Sequence, residues 1–146
     1  MSVAMTRAER EAFLAETRVA AVSIVDPGNG PLTVPVWYAY EPGGVVRIVT
    51  GTRSRKAALL RAAGRMGLCV QDETPPYRYV SIEGPVRLTT VDFARDVEAI
   101  AIRYLGPDMG RQYLAMTEAE RAAEPNVLVE LTPERWRSVD YRKMMG

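Results

Sequence analysis

Three apolar, β-branched runs follow one another between residues 19 and 50: VAAVSIV (Val19 to Val25), LTVPVWYAY (Leu32 to Tyr40) and VVRIVT (Val45 to Thr50). The segments between them, DPGNGP and EPGG, are turn chemistry. Short runs of this kind, bounded by Pro and Gly, form strands joined by tight connections. They predict a three-strand antiparallel meander. Strand-like stretches recur downstream in RMGLCVQ, YVSIEGPVRLTT, VLVELTP and ERWRSVDY, giving about seven strands in all. Short strands with mostly hairpin connections favour a closed or nearly closed antiparallel barrel carrying peripheral helices. Pro35 cannot donate to a ladder, which confines it to an edge, a bulge or a strand end. One side of that strand therefore faces something other than another strand.

Helical signals sit between and outside these runs. Thr6-Arg7-Ala8-Glu9 has the form of a capping box and opens a helix as far as about Glu16. A second helix begins near Ser54 and runs through RKAALLRAA, with Ala57, Leu60 and Ala63 at helical spacing and Gly64 placed to cap its end. DFARDVEAIAIRYLG reads as one helix with Phe93, Val97, Ile100 and Leu105 on a shared apolar face, and TEAERAAEPN as a short helix and turn. No repeat, low-complexity tract or linker divides the chain. Residues 1–146 are read as one domain, long enough to bury a core without disulfides or metals.

Absences narrow the chemistry. The chain has no histidine, which removes Ser-His-Asp and Cys-His catalysis, histidine-ligated metals and imidazole acid/base chemistry together. Cys69 is the single cysteine, so neither an intramolecular disulfide nor a cysteine zinc site can form. No metal site is expected. A formal net charge of +1 argues against a general nucleic-acid binder. No stretch approaches the roughly 18 apolar residues of a membrane span, and MSVAMTRAEREAF lacks the apolar segment of a signal peptide. A cytoplasmic location is the expectation.

Against this neutral background VTGTRSRKAALL places Arg53, Arg55 and Lys56 at the start of the second helix. The positive end of a helix dipole disfavours cations by about 0.3–1 kcal/mol each. Arg and Lys are good helix formers that can simply point into solvent. Alternatively, unpaired N–H groups, Ser54 as cap and the adjacent cations make an anion site, where a bound phosphate turns the repulsion into attraction.

The stretch VTGTRSRKAALL resembles the strand–loop–helix motif of the pyridoxamine 5'-phosphate oxidase-like split-barrel superfamily, in which a T-x-x-x-S-R-K pattern binds a flavin phosphate. VPVWYAY resembles that superfamily's flavin-lining second strand, and YRYVSIEGPVRL a later strand beside the ring system. PVWYAY, SRKAALLR, VSIEGPVRL and the closing RWRSVDYRKM are most similar to the actinobacterial flavin/deazaflavin reductase group, which uses coenzyme F420 or FMN. The resemblance implies a mainly β split barrel and a homodimer with cofactor sites at the interface.

It also implies roles for individual residues. Arg55 and Lys56 hold the phosphate with Ser54 capping, while Val34, Pro35, Val36 and Trp37 flank the ring. Val49 and Thr50 edge the phosphate or ribityl region, and Tyr79 stands where the oxidases carry an amide. Tyr79 and Ser81 are candidate proton sources, and the C-terminal Trp136, Tyr141 or Lys143 could reach a neighbouring chain's site. The departures matter too: the oxidases' substrate-binding Arg-x-His pair is missing, and Ala39 replaces a second-strand lysine. The implied activity is hydride transfer from reduced F420 to a small conjugated acceptor. Two alternatives are an FMN-dependent oxidase or reductase, and a non-catalytic carrier or sensor of flavin, deazaflavin or a haem-like ligand.

Overall fold

The computed structural model describes residues 2–145. Among them eight strands form: β1 (Ala20–Ile24), β2 (Leu32–Val36), β3 (Ala39–Tyr40), β4 (Val46–Gly51), β5 (Arg65–Gln71), β6 (Arg78–Thr89), β7 (Asn126–Leu131) and β8 (Arg135–Asp140). They pair antiparallel in the order β2-β1-β5-β6-β7-β4-β3, with β8 joined to β6. The two ends of this order, β2 and β3, are successive pieces of the run from Leu32 to Tyr40.

That run is not the single middle strand of a meander, which corrects the sequence reading. It breaks at Trp37 and Tyr38, so that β2 pairs with β1 and β3 pairs with β4. The chain thus steps from one end of the curled sheet to the other within two residues, and the fold is the mainly β split barrel expected. The break has a local cause. Tyr38 sends its side chain fully into the core, where its hydroxyl donates to the Leu14 carbonyl at 2.6 Å. Its backbone N–H donates to the Tyr104 hydroxyl at 3.0 Å instead of to a strand, so this donor is not left unpaired.

β6 is long enough to serve two neighbours along one edge, β8 with Arg78 to Glu83 and β7 with Val86 to Thr89. Gly84 marks the change-over. A Cβ there would overlap the Thr132 carbonyl oxygen, because the β7–β8 turn lies directly on the strand. Thr132 N–H donates to Pro85 O and Glu134 N–H to Glu83 O, each at 3.0 Å. Inside the barrel, alternate residues such as Val22, Ile24, Val46, Ile48, Leu68, Val70, Val80, Ile82, Val129 and Leu131 form one apolar core. A barrel this small is filled by its own side chains. Any ring system must therefore sit outside.

The helix α1 (Arg7–Ala15) carries the expected capping box: Glu9 N–H donates to the Thr6 hydroxyl and Thr6 N–H to the Glu9 carboxylate. It adds Phe13 and Leu14 to the core. The second helix, α2 (Arg55–Ala63), is capped by Ser54 and ends at Gly64 with φ 70°. The third helical reading is corrected in part. Residues Phe93–Glu98 form a π-helical turn before α3 (Ala99–Leu105). The wider turn shifts the phase, leaving Phe93 50% exposed while Ile100 is buried and Asp96, not an apolar residue, points fully inward. A further helix, α4 (Pro107–Met116), follows where none is signalled by a continuous apolar stripe. Gly106, at φ 82°, turns the chain, and Pro107 opens the helix. The expected short helix is α5 (Glu118–Ala123). No helix of the described residues is long and apolar enough to cross a membrane.

Candidate cofactor site

β4 ends at Gly51 and α2 begins at Arg55, so the Thr52-Arg53-Ser54 turn is a tight strand-to-helix junction. The Thr50 and Ser54 hydroxyls lie 3.1 Å apart, and the Ser54 oxygen accepts the Ala57 N–H at 3.1 Å. Arg61 reaches back from the last turn to the Thr52 carbonyl and hydroxyl at 2.8 and 3.0 Å. The cap satisfies one orphan donor of α2, and the first-turn N–H groups of Arg55 and Lys56 remain for a ligand.

The three cations of this junction diverge. The Arg55 guanidinium donates to both oxygens of Asp26, each at 2.7 Å, and is 61% exposed. Its hydrogen bond is the main cause holding the Asp26 carboxyl below its usual range. Arg53 donates to the Ala123 carbonyl at 3.0 Å and lies 4.0 Å from the Glu124 carboxylate. Only Lys56 turns to a cleft of about 640 Å³.

One wall of that cleft is barrel: Pro35, Val36 and Trp37 at the seam, Val49 and Gly51 of β4, and Lys56. The opposite wall comes from the helical segment after β6, with Val97, Ile100, Ala101, Tyr113 and Leu114 as its apolar part and Thr117, Glu120, Arg121 and Glu124 as its polar part. Aromatic packing joins the walls. Trp37 stacks on Tyr104 with centroids 5.0 Å apart and planes 5° from parallel, and Tyr113 tilts against it at 5.6 Å. Tyr104 accepts the Tyr38 N–H and donates to the Arg18 carbonyl at 2.7 Å, so the stacking face is held by the hydrogen bonds of the seam.

Asp96 anchors the helical wall. Its side chain is fully buried and accepts the Arg95 guanidinium at 2.8 and 2.9 Å and the Asp92 N–H at 2.8 Å. Arg47 of β4 stands 3.7 Å away. The Arg95 hydrogen bonds, with help from the Asp92 N–H, hold its carboxyl below the ordinary range against the opposing effect of burial. The arrangement is a structural ion pair.

The cleft thus gathers Pro35, Val36, Trp37, Val49 and Lys56 from the residues singled out in the sequence. The other five stand outside its lining. Val34 packs against the core, Thr50 is buried beside Ser54, Ser54 serves the helix cap, and Arg55 is bound to Asp26. Tyr79 lies in β6 between Gln71 and Val139, and Ser81 between Cys69 and Arg137. Burial pushes the Cys69 thiol up, away from a reactive thiolate. Of the C-terminal residues, Trp136 packs on its own core under Arg10, Lys143 is bound to Glu9 and the Ala4 carbonyl, and Tyr141 is exposed. Tyr104, Tyr113, Asp96, Arg121 and Glu124 were not signalled by any motif. No cluster of three potential metal-ligating side chains occurs among the described residues.

A sequence model of the family described as pyridoxamine 5'-phosphate oxidase matches residues 6–140. The chain belongs to this family. An F420H(2)-dependent biliverdin reductase of Mycobacterium tuberculosis is 32% identical over 99 residues, which span 66% of this chain and 70% of that protein. A solved structure of a conserved hypothetical protein from the same organism superposes with a TM-score of 0.80 at 26% identity, covering 99% of this chain and 91% of the other. A solved F420 reductase shares the fold, with a TM-score of 0.58 and 20% identity over 87% and 94% of the two chains. The family match and the reductase that is 32% identical support an oxidoreductase of the flavin or deazaflavin type.

Proposed function

We propose that this protein is an F420-dependent reductase that delivers a hydride from the reduced deazaflavin to a small, conjugated organic acceptor. The observation that carries the reading is the cleft itself. In a chain of this family and with this relative, it sets a lysine without an ion-pair partner among the described residues at a capped helix N-terminus, beside an apolar wall of Pro35, Val36, Trp37 and Val49.

The residues fit a phosphate-bearing ring cofactor. Lys56 and the α2 N–H groups would hold the phosphate. Pro35, Val36 and Trp37 would flank the ring along the barrel's outer wall, and Tyr113 with Leu114 would exclude water from the opposite side. The bound cofactor supplies the hydride chemistry, and the protein supplies binding, orientation and a dry pocket. That division of labour suits a chain without histidine and with one unreactive cysteine.

The proposal includes a homodimer with a cofactor site at each side of the interface. Val19 lines the cleft yet is 57% exposed, and Pro35 is exposed beside it. A second chain would close that side, and could bring its outward strand residues toward the ring.

The test is to record the visible spectrum of purified protein, titrate F420 and FMN separately by fluorescence, and measure turnover of reduced F420 with conjugated acceptors. Binding and oxidation of reduced F420 are expected. Tight FMN binding with no F420 affinity would assign the cleft to a flavin enzyme, and ligand binding without turnover would make it a carrier.

A further inference from the structure

The short helix α5 is a partition between two spaces. Towards the barrel, α5 and its flanking residues Thr117 and Glu124 face the cleft described above. Away from it a second cavity of about 430 Å³ opens behind the helix, lined by Phe93, Leu114, Ala115, Glu118, Arg121 and Ala122. Leu114 and Arg121 border both spaces, so the partition is about one side chain thick. None of the six residues of α5 is buried. A helix this short, without a packed face, is marginal by itself and opens locally more easily than the core elements beside it.

Two arginines tie it down. Arg121 pins it to α4, donating to the Leu114 carbonyl at 2.7 Å and to the Thr117 hydroxyl. Arg53 reaches the other end from the β4–α2 junction, donating to the Ala123 carbonyl at 3.0 Å and lying 4.0 Å from the Glu124 carboxylate. Ala123 is the last residue of α5, where carbonyls lack helical partners and the dipole is negative. The cation at the unfavourable end of α2 therefore stands at the favourable end of α5. Glu124 seats directly on Gly51, where a Cβ would overlap its carboxylate oxygen. One residue further on, the Pro125 carbonyl accepts the Thr52 N–H at 2.8 Å and anchors the chain again before β7. The Arg53 side chain is 67% exposed, which makes its tie weak and reversible.

We infer that α5 is a gate over the Lys56 end of the cleft and that Arg53 is its latch, a positioning residue that holds the gate shut. Opening is the departure of α5 from the barrel between two fixed points, the Arg121 staple on α4 and the Pro125 anchor, with the cavity behind it receiving the displaced side chains. It exposes Lys56 and the α2 N-terminus to an entering phosphate. That last step rests on the cofactor reading proposed above, whereas the opening of α5 does not.

Hydrogen exchange read by mass spectrometry on the ligand-free protein, and stopped-flow fluorescence with F420, test the gate on wild type, Arg53→Ala and Arg53→Lys. In the wild type, the amides of Arg121 to Glu124 should exchange at least about tenfold faster than those of Leu59 to Ala63 in α2. Arg53→Ala should speed exchange in α5 about fivefold and leave α2 and β4 unchanged, and Arg53→Lys, which can still donate to the Ala123 carbonyl, should restore most of the protection. The association and dissociation rates of F420 should both rise about fivefold in Arg53→Ala, with Kd constant to within about twofold. An α5 as protected as α2 overturns the gate. Exchange and rates indifferent to Arg53→Ala overturn the latch, and so does a weaker Kd carried by dissociation alone, which would make Arg53 a direct phosphate ligand. If the wild type binds no F420, the cofactor reading fails and the exchange data alone decide whether Arg53 holds α5 shut.

Discussion

Lys56→Ala and Arg55→Ala separate the two cations that the sequence presents as a pair. Lys56 lines the cleft, and Arg55 is turned away to Asp26. A charge-assisted hydrogen bond to phosphate is worth about 1.5–3 kcal/mol, so Lys56→Ala should weaken F420 binding roughly tenfold to a hundredfold. Arg55→Ala removes an exposed ion pair worth about 0–1 kcal/mol to the fold. It also leaves the charge facing the ligand unchanged apart from freeing Asp26, so its effect on F420 affinity should stay within about threefold. The assay is a fluorescence titration at fixed ionic strength, with urea melts confirming that both variants fold. Equal losses in the two variants would refute the assignment, because the guanidinium would then have to leave Asp26 and enter the site.

Asp96→Asn should cost about 2 kcal/mol at pH 7, since it removes a buried carboxylate from the half-exposed Arg95 and leaves Arg47 facing an uncharged group. The folded carboxyl titrates below its unfolded value of about 3.9. Its stabilisation is therefore complete above that pH and lost as the pH falls through the folded value. The gap between wild type and variant in urea melts should shrink from pH 7 to pH 3, and a constant gap would contradict the charge argument. Tyr104→Phe should keep the stacked ring but strip the Tyr38 N–H and Arg18 carbonyl of their partner, costing about 1–3 kcal/mol in the same melts. An unchanged midpoint would show that the seam satisfies itself another way. Sedimentation at micromolar protein should give twice the monomer mass, and a monomer binding cofactor at full affinity would remove the shared-site proposal.

Strand segments were legible because local chemistry and burial agree: β1, β4, β5, β7 and β8 match the runs read as strands to within two residues at each end. The junction at Ser54 was legible for the same reason, its cap and C-terminal glycine being encoded within a few residues. What the sequence hid depends on distant partners. A strand break at Trp37 makes sense only once Tyr104, 66 residues away from Tyr38, supplies a hydroxyl to the freed N–H. The inward turn of Asp96 depends on a π-helical turn and on Arg47 of β4, 3.7 Å away. The partition of cations likewise needed Asp26, which looks in the sequence like an ordinary turn residue.

The seam and the cleft are consequences of one event. If the run from Leu32 to Tyr40 continued as a regular strand, its N–H groups would be engaged in a ladder and Trp37 would project as one more alternating side chain. Breaking it frees the Tyr38 N–H, and a buried free donor must find an acceptor. The acceptor is the Tyr104 hydroxyl, so α3 is drawn over the gap between the sheet's two ends. Arg103, on the same helix, donates to the Ala15 and Glu16 carbonyls at the end of α1, fixing α3 from the other side. With α3 so placed, Trp37 lies flat on Tyr104 and α4 and α5 overhang the outer barrel wall. The cavity exists because the barrel does not close by strand pairing alone. Its chemistry is set where that overhang meets the α2 N-terminus, with Lys56 on one side and Glu124 on the other.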